Sequence, residues 1–180
     1  MRMMKVAVKL CCVAVLIAAI AAPASAFQSD NRISREVRHE LLLLPYYTVF
    51  DLLQYKVDGG TVTLSGAVNN PALKSDAGNV VKHIEGVERV VNNIEVLPPS
   101  PMDDQIRRAE YRAIYGFGGL YRYGIGSQQA IHIIVKNGHV TLAGVIDSVG
   151  DKDAAGIQAK TVPNVFSVDN LLEVAGGKVK

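Results

Sequence analysis

Apolar and polar residues alternate with period two at Leu53, Tyr55 and Val57, and again where Val62 and Leu64 are set against Thr63 and Ser65. That alternation predicts two half-buried strands. Gly60 between them supplies the positive φ that a short hairpin turn needs. The same pattern returns at Ile131, Ile133 and Val135, then at Val140 and Leu142, with Gly138 in the turn. VDGGTVTLSGAV (57–68) and VKNGHVTLAGVI (135–146) align at a constant offset of 78, and the alignment runs without a gap from Val57/Val135 to Val96/Val174 with 15 identities in 40 pairs. The chain is a duplication.

Helical periodicity flanks each strand pair. Ile33, Val37, Leu41 and Leu44 share one face at spacings of three and four, which predicts an amphipathic helix capped by Asp30 or Asn31 and limited by Pro45. Asn69, Asn70 and Pro71 form a helix start, and this helix runs to about Ile84, burying Leu73, Ala77, Val80, Val81 and Ile84 before Gly86 closes it. A last strand carries Val87, Val90, Ile94 and Val96. The second copy repeats the order, with helices expected over 102–115 and 150–161 and strands over 131–136, 139–146 and 166–174. The predicted fold class is therefore α+β, two tandem small αββαβ domains, each a three-stranded sheet packed by two helices. Domain one spans 27–97 and domain two 102–175, with a proline-rich linker at 98–101 expected to hold them apart and a flexible tail at 176–180.

Residues 1–26 have the parts of an export signal: basic Arg2, Lys5 and Lys9, an apolar run over 13–20, and Ala24, Ser25 and Ala26 before Phe27. Cleavage after Ala26 and a periplasmic destination are expected, and retention as an anchor is the alternative. Both cysteines, Cys11 and Cys12, lie inside this segment, so the mature chain has no thiol chemistry. Removing the signal's three basic residues from the chain's 19 leaves 16 against 17 acidic ones, a net charge of −1. The general electrostatic case for nucleic-acid binding disappears with it.

The V-x-x-G-x-V-T-L-x-G-x-V signature, the helix with Lys74 and Ala77 (Lys152 and Ala155), and the closing Gly86, Val87, Val90, Asn92, Ile94 and Val96 resemble the BON domain. Copy two departs from that pattern, with Pro163 and Asn164 where copy one has Glu85 and Gly86, and Leu171 in place of Asn93; these changes are expected to loosen the helix-to-strand turn. The resemblance covers nearly the whole mature chain. It implies a non-enzymatic envelope protein without a small-molecule cofactor, associated with osmotic and envelope stress and with phospholipid surfaces or envelope proteins. It also implies that lipid contact belongs to the first helix and adjacent loop of the second domain. The glycines of the signature, Gly60, Gly66, Gly86, Gly138 and Gly144, read as scaffold.

The candidate surface lies where the copies differ, because copy two inserts a long loop, GFGGLYRYGIGSQQA, between its first helix and first strand. On that helix Arg108, Tyr111, Arg112 and Tyr115 form one stripe, with Ile106, Ala109, Ala113 and Phe117 expected opposite as the core stripe. Phe117, Tyr121, Arg122 and Tyr123 continue the surface in the loop. Arginine with tyrosine suits an anionic phospholipid headgroup boundary; the competing reading is a solvated face whose tyrosines pack on the neighbouring domain. A protein-interaction or chaperone-like adaptor is the alternative function. Asp147, Asp151 and Asp153 lack calcium-loop spacing and read as helix capping. His39, His83, His132 and His139 lack metal-ligand spacing and are expected on solvent faces. No phosphate-loop, nucleophile-elbow or paired-carboxylate pattern points to catalysis.

Overall fold

The computed structural model describes residues 22–126 and 129–176, and side chains of the first helix from Ser29 onward. The basic start and apolar middle of the expected signal lie outside the described residues. Copy one comprises α1 (Ala22–Leu42), β1 (Leu52–Asp58), β2 (Thr61–Val68), α2 (Pro71–Lys82), β3 (Arg89–Asn92) and β4 (Glu95–Val96). Copy two comprises α3 (Pro101–Tyr115), a short 3-10 turn (Tyr121–Gly124), β5 (Ile131–Lys136), β6 (His139–Ile146), α4 (Val149–Lys160) and β7 (Ser167–Val174). In each sheet the central strand pairs antiparallel with the first and parallel with the last. β3 and β4 are two stretches of one interrupted strand along β2, so the αββαβ expectation holds in both copies.

The repeated residues carry this geometry. Gly60 and Gly138 have φ 78° and 77°, and their carbonyls accept from Glu88 N at 2.8 Å and Phe166 N at 2.9 Å, which seats the incoming last strand. Gly66 and Gly144 have φ 110° and 133°, and a Cβ there would lie 2.0 Å from the Leu52 carbonyl oxygen and 1.9 Å from that of Ala130. Asn92 Nδ2 donates to Lys74 O at 2.8 Å and Asn170 Nδ2 to Lys152 O at 2.6 Å, tying the last strand to the preceding helix in both copies. Asn70 caps α2 through Ala72 N, as expected. Asn164, expected to loosen its turn, instead adopts the left-handed conformation of Gly86, φ 66° against 87°, because asparagine tolerates that region.

Three expectations change. α1 begins before Asp30, whose carboxylate does not cap it but accepts from the hairpin amide of Gly59 at 3.1 Å. The linker does not hold the copies apart: Val49 is buried in the core of copy two, and its carbonyl accepts from Ile133 N at 2.8 Å on the outer edge of β5. Tyr47 stacks on His132 with ring centroids 5.6 Å apart, and Lys136 pairs with Glu95 at 2.5 Å. Apolar Val49 and Phe50 gain more from that burial than stiff prolines can oppose. His132 is consequently part of the junction rather than a solvent face, and burial lowers its pKa. Among the described residues no helix is long and apolar enough to cross a membrane.

Candidate functional site

α3 starts at Pro101, with Ser100 accepting from Asp103 N as its cap. Its buried face is Asp103, Ile106, Arg107, Glu110, Ile114 and Tyr115. The expected core stripe was thus rotated: Ala109 and Ala113 are only half-buried and Phe117 is exposed. Asp103 accepts from Asn137 N at 2.9 Å and Gly138 N at 2.8 Å, holding the hairpin turn as Asp30 does in copy one. Arg107 reaches the Val135 carbonyl at 2.7 Å and Asp104 at 2.6 Å. Glu110 is 0% exposed, and neither of its carboxyl oxygens has a hydrogen-bond partner among the described residues. Burial alone pushes its pKa up to about 8. Counting back from the shared Asp30/Asp103 clasp, Glu110 stands where copy one buries Val37.

The eight candidate residues separate into three groups. Arg108, Tyr111, Arg112, Phe117 and Tyr121 are exposed, although Tyr111 also meets Phe50 of copy one edge-on at 6.3 Å. Tyr115 and Tyr123 are not surface residues, being 6% and 7% exposed. Tyr115 donates to the Ile131 carbonyl, satisfying another outer-edge group of β5, and burial raises its pKa. Tyr123 donates to Asp151 and accepts from Asp147 N, both at 2.9 Å. Rings that looked amphipathic in sequence are here core residues whose hydroxyls find partners inside.

Arg122 forms the third group. Its guanidinium lies 2.6 Å from Asp151 and 3.4 Å from Asp147, and it also donates to Gly119 O and Tyr123 Oη. The Ser148 hydroxyl, then Tyr123 and Arg122, hold the Asp151 carboxyl below its usual range. Ser148 is the α4 cap, so Asp151 serves the first turn as expected while also pinning the inserted loop. Arg122 is therefore a tether with its charge compensated locally. Arg108 and Arg112 differ, since neither makes an ion pair among the described residues.

Sequence reasoning missed Asp103, Arg107, Glu110 and Asp51, all buried. Asp51 closes the β1 entry by accepting from Asn69 N at 2.8 Å and from Thr48 N and Oγ1 at 3.0 and 2.7 Å. The available signal for Asp103 was its position opposite the Asn137 and Gly138 turn, matching Asp30 in the other copy.

Residues 29–98 and 124–176, more than half of the chain, match the family described as BON domain. A curated relative is osmotically-inducible protein Y of Escherichia coli (strain K12), 28% identical over 158 residues, which cover 82% of this chain and 73% of that protein. Among solved structures, the C-terminal domain of CdsD, a structural protein of the type III secretion system of Chlamydia trachomatis, is 15% identical, covering 78% of this chain and 96% of that one with a TM-score of 0.28. A likeness that loose carries no weight for function. The repeated signature, the two αββαβ sheets and the family match together place the chain in the BON domain family.

Proposed function

We propose that the protein is a non-enzymatic, exported BON-domain protein of the periplasm, serving envelope and osmotic-stress homeostasis by lying against anionic phospholipid surfaces through its second domain. The observation that carries this reading is the exposed pair Arg108 and Arg112, one helical turn apart and without acidic partners among the described residues, followed in the loop by exposed Phe117, Tyr121 and Ile125. Guanidinium groups meet headgroup phosphate while the apolar side chains enter the acyl boundary. The relative's name, osmotically-inducible protein Y, supports the stress setting, and the expected export signal supports the compartment.

Co-sedimentation with phosphatidylglycerol vesicles at low salt tests this. Arg108→Glu/Arg112→Glu should lose binding, whereas Arg122→Glu should lose far less because its charge is already compensated. Absent binding by the parent, or undiminished binding by the double variant, would sink the reading. One observation favours the alternative, an adaptor that binds protein. Phe166, Leu171 and Val145 are 78%, 62% and 55% exposed, at positions where copy one has Glu88, Asn93 and Ala67. Capture of a discrete envelope protein without lipid, lost on Phe166→Glu/Leu171→Asp, would favour that alternative.

A further inference from the structure

The two copies serve as internal controls for each other at the cleft between the first helix and the turn that follows the second helix. In copy one Arg32 fills it: Nη2 donates to the Glu85 carbonyl at 2.8 Å, Nη1 pairs with Glu36 at 3.2 Å, and the guanidinium lies against Gly86. In copy two the residue in register with Arg32 is Gln105, and those in register with Glu85 and Gly86 are Pro163 and Asn164. The shorter, uncharged Gln105 does not close the space. A cleft of about 360 Å³ remains between α3 and that turn, lined by Gln105, Arg108 and Arg112 on one wall and Pro163 and Asn164 on the other. Among the described residues, no carboxylate lines it.

Resting on the lipid-surface reading above, we propose that this cleft is a binding site for a phosphate group. Arg108 and Arg112 are four apart on one helix and so stand one above the other on the same face. Two planar guanidinium forks in that arrangement can hold one tetrahedral oxyanion from two sides. The Gln105 amide supplies a further donor, and Ile106 gives the floor an apolar character suited to the carbon skeleton beyond the phosphate. In copy one the corresponding place is taken by Arg32, which is spent on Glu36 and the Glu85 carbonyl.

The test adds positive charge while closing the cleft. Gln105→Arg copies Arg32 and should reach the Pro163 carbonyl across the space. Pure surface electrostatics makes this variant bind anions more tightly; a cleft site makes it bind more weakly. The full mature protein, its Gln105→Arg form and Arg108→Gln/Arg112→Gln would each be titrated with inorganic phosphate, following the arginine Nε–H resonances, and with phosphatidylcholine vesicles with and without phosphatidylglycerol. Loss of about tenfold or more in affinity is expected for both variants. Weakened binding of both probes by Gln105→Arg supports the cleft. Vesicle binding without phosphate binding, still weakened by Gln105→Arg, assigns the site to a lipid headgroup. Phosphate binding without vesicle binding keeps the site and overturns the lipid-surface reading. Unchanged or tighter binding by Gln105→Arg overturns the cleft while leaving that reading standing, and a parent that binds neither probe overturns both.

Discussion

Replacing Glu110 with valine, the residue at its place in copy one, should stabilise the second domain by an amount that grows with pH. The carboxyl is fully buried without a hydrogen-bond partner among the described residues, and burial raises its pKa from 4.5 to about 8. A carboxyl whose folded pKa lies above its unfolded value favours folding most below about pH 4.5. That stability is lost as pH rises towards 8, because the unfolded chain ionises freely and the folded one resists. At 1.36 kcal/mol per unit, the loss is roughly 3 kcal/mol at pH 7 and about 5 kcal/mol above pH 8. Urea unfolding at intervals from pH 4.5 to 8.5 would read it, followed through hydrogen exchange at the Ile133 and Val135 amides, since the chain has no tryptophan. Glu110→Gln separates charge from shape: it should flatten the pH dependence without adding apolar burial. A parent profile no steeper than that of Glu110→Gln between pH 5 and 8 would refute the reasoning, as would Glu110→Val being less stable than the parent at pH 8.

Other predictions follow from the repeated scaffold and the junction. Gly66→Ala and Gly144→Ala should each cost more than about 3 kcal/mol by denaturant melting, because strand backbone occupies the Cβ position and φ is positive. Equal stability to the parent would show that the β1–β2 and β5–β6 crossings relax freely. Asn92→Ala and Asn170→Ala should cost about 1–3 kcal/mol each by leaving helix carbonyls without their donors, and similar losses from the two would match the equivalence of the copies. His132 has its pKa lowered by burial, so its contribution is present above the ordinary histidine pKa and is lost as pH falls through the lower folded value. Acid should therefore weaken the Tyr47–His132 stack, detectable as loss of Tyr47 ring-current shifts on His132 and abolished in His132→Gln, which copies Gln54.

Much of the fold was legible because the repeat made it so. Turn glycines, strand alternation and the Asn70 cap depend on neighbours within a few residues, and each was visible twice. α3 was misread for a physical reason. Periodicity assigns a helix face by counting apolar residues, and this helix buries Asp103, Arg107 and Glu110, so the apparent apolar centre moved towards Ala109 and Ala113. The tyrosines misled in the same way: Tyr115 and Tyr123 present apolar rings to the core and place their hydroxyls on the Ile131 carbonyl and Asp151, which residue type alone cannot distinguish from an interfacial pair. Arg122 was legible as a cation but not as a neutralised one, since Asp147 and Asp151 lie 25 and 29 residues away in sequence. The proline linker pointed to separation because stiffness is local, whereas the Val49 seat on β5 joins residues 84 apart.

That seat has a consequence for how the chain comes into being. The outer rim of β5 is an unpaired strand border of the kind that recruits stray strands from other molecules, and the Val49 carbonyl, Arg107 and Tyr115 occupy it. All three precede β5 in the chain. In synthesis or export proceeding from the N-terminus, the guard is laid down before the strand it guards, so this rim need never wait uncovered for a later segment. Reversing the order of the two halves by circular permutation would keep every residue and leave Arg107 and Tyr115 ahead of β5, yet Val49 would then follow the strand, so the Ile133 amide would wait uncovered until the other half was made.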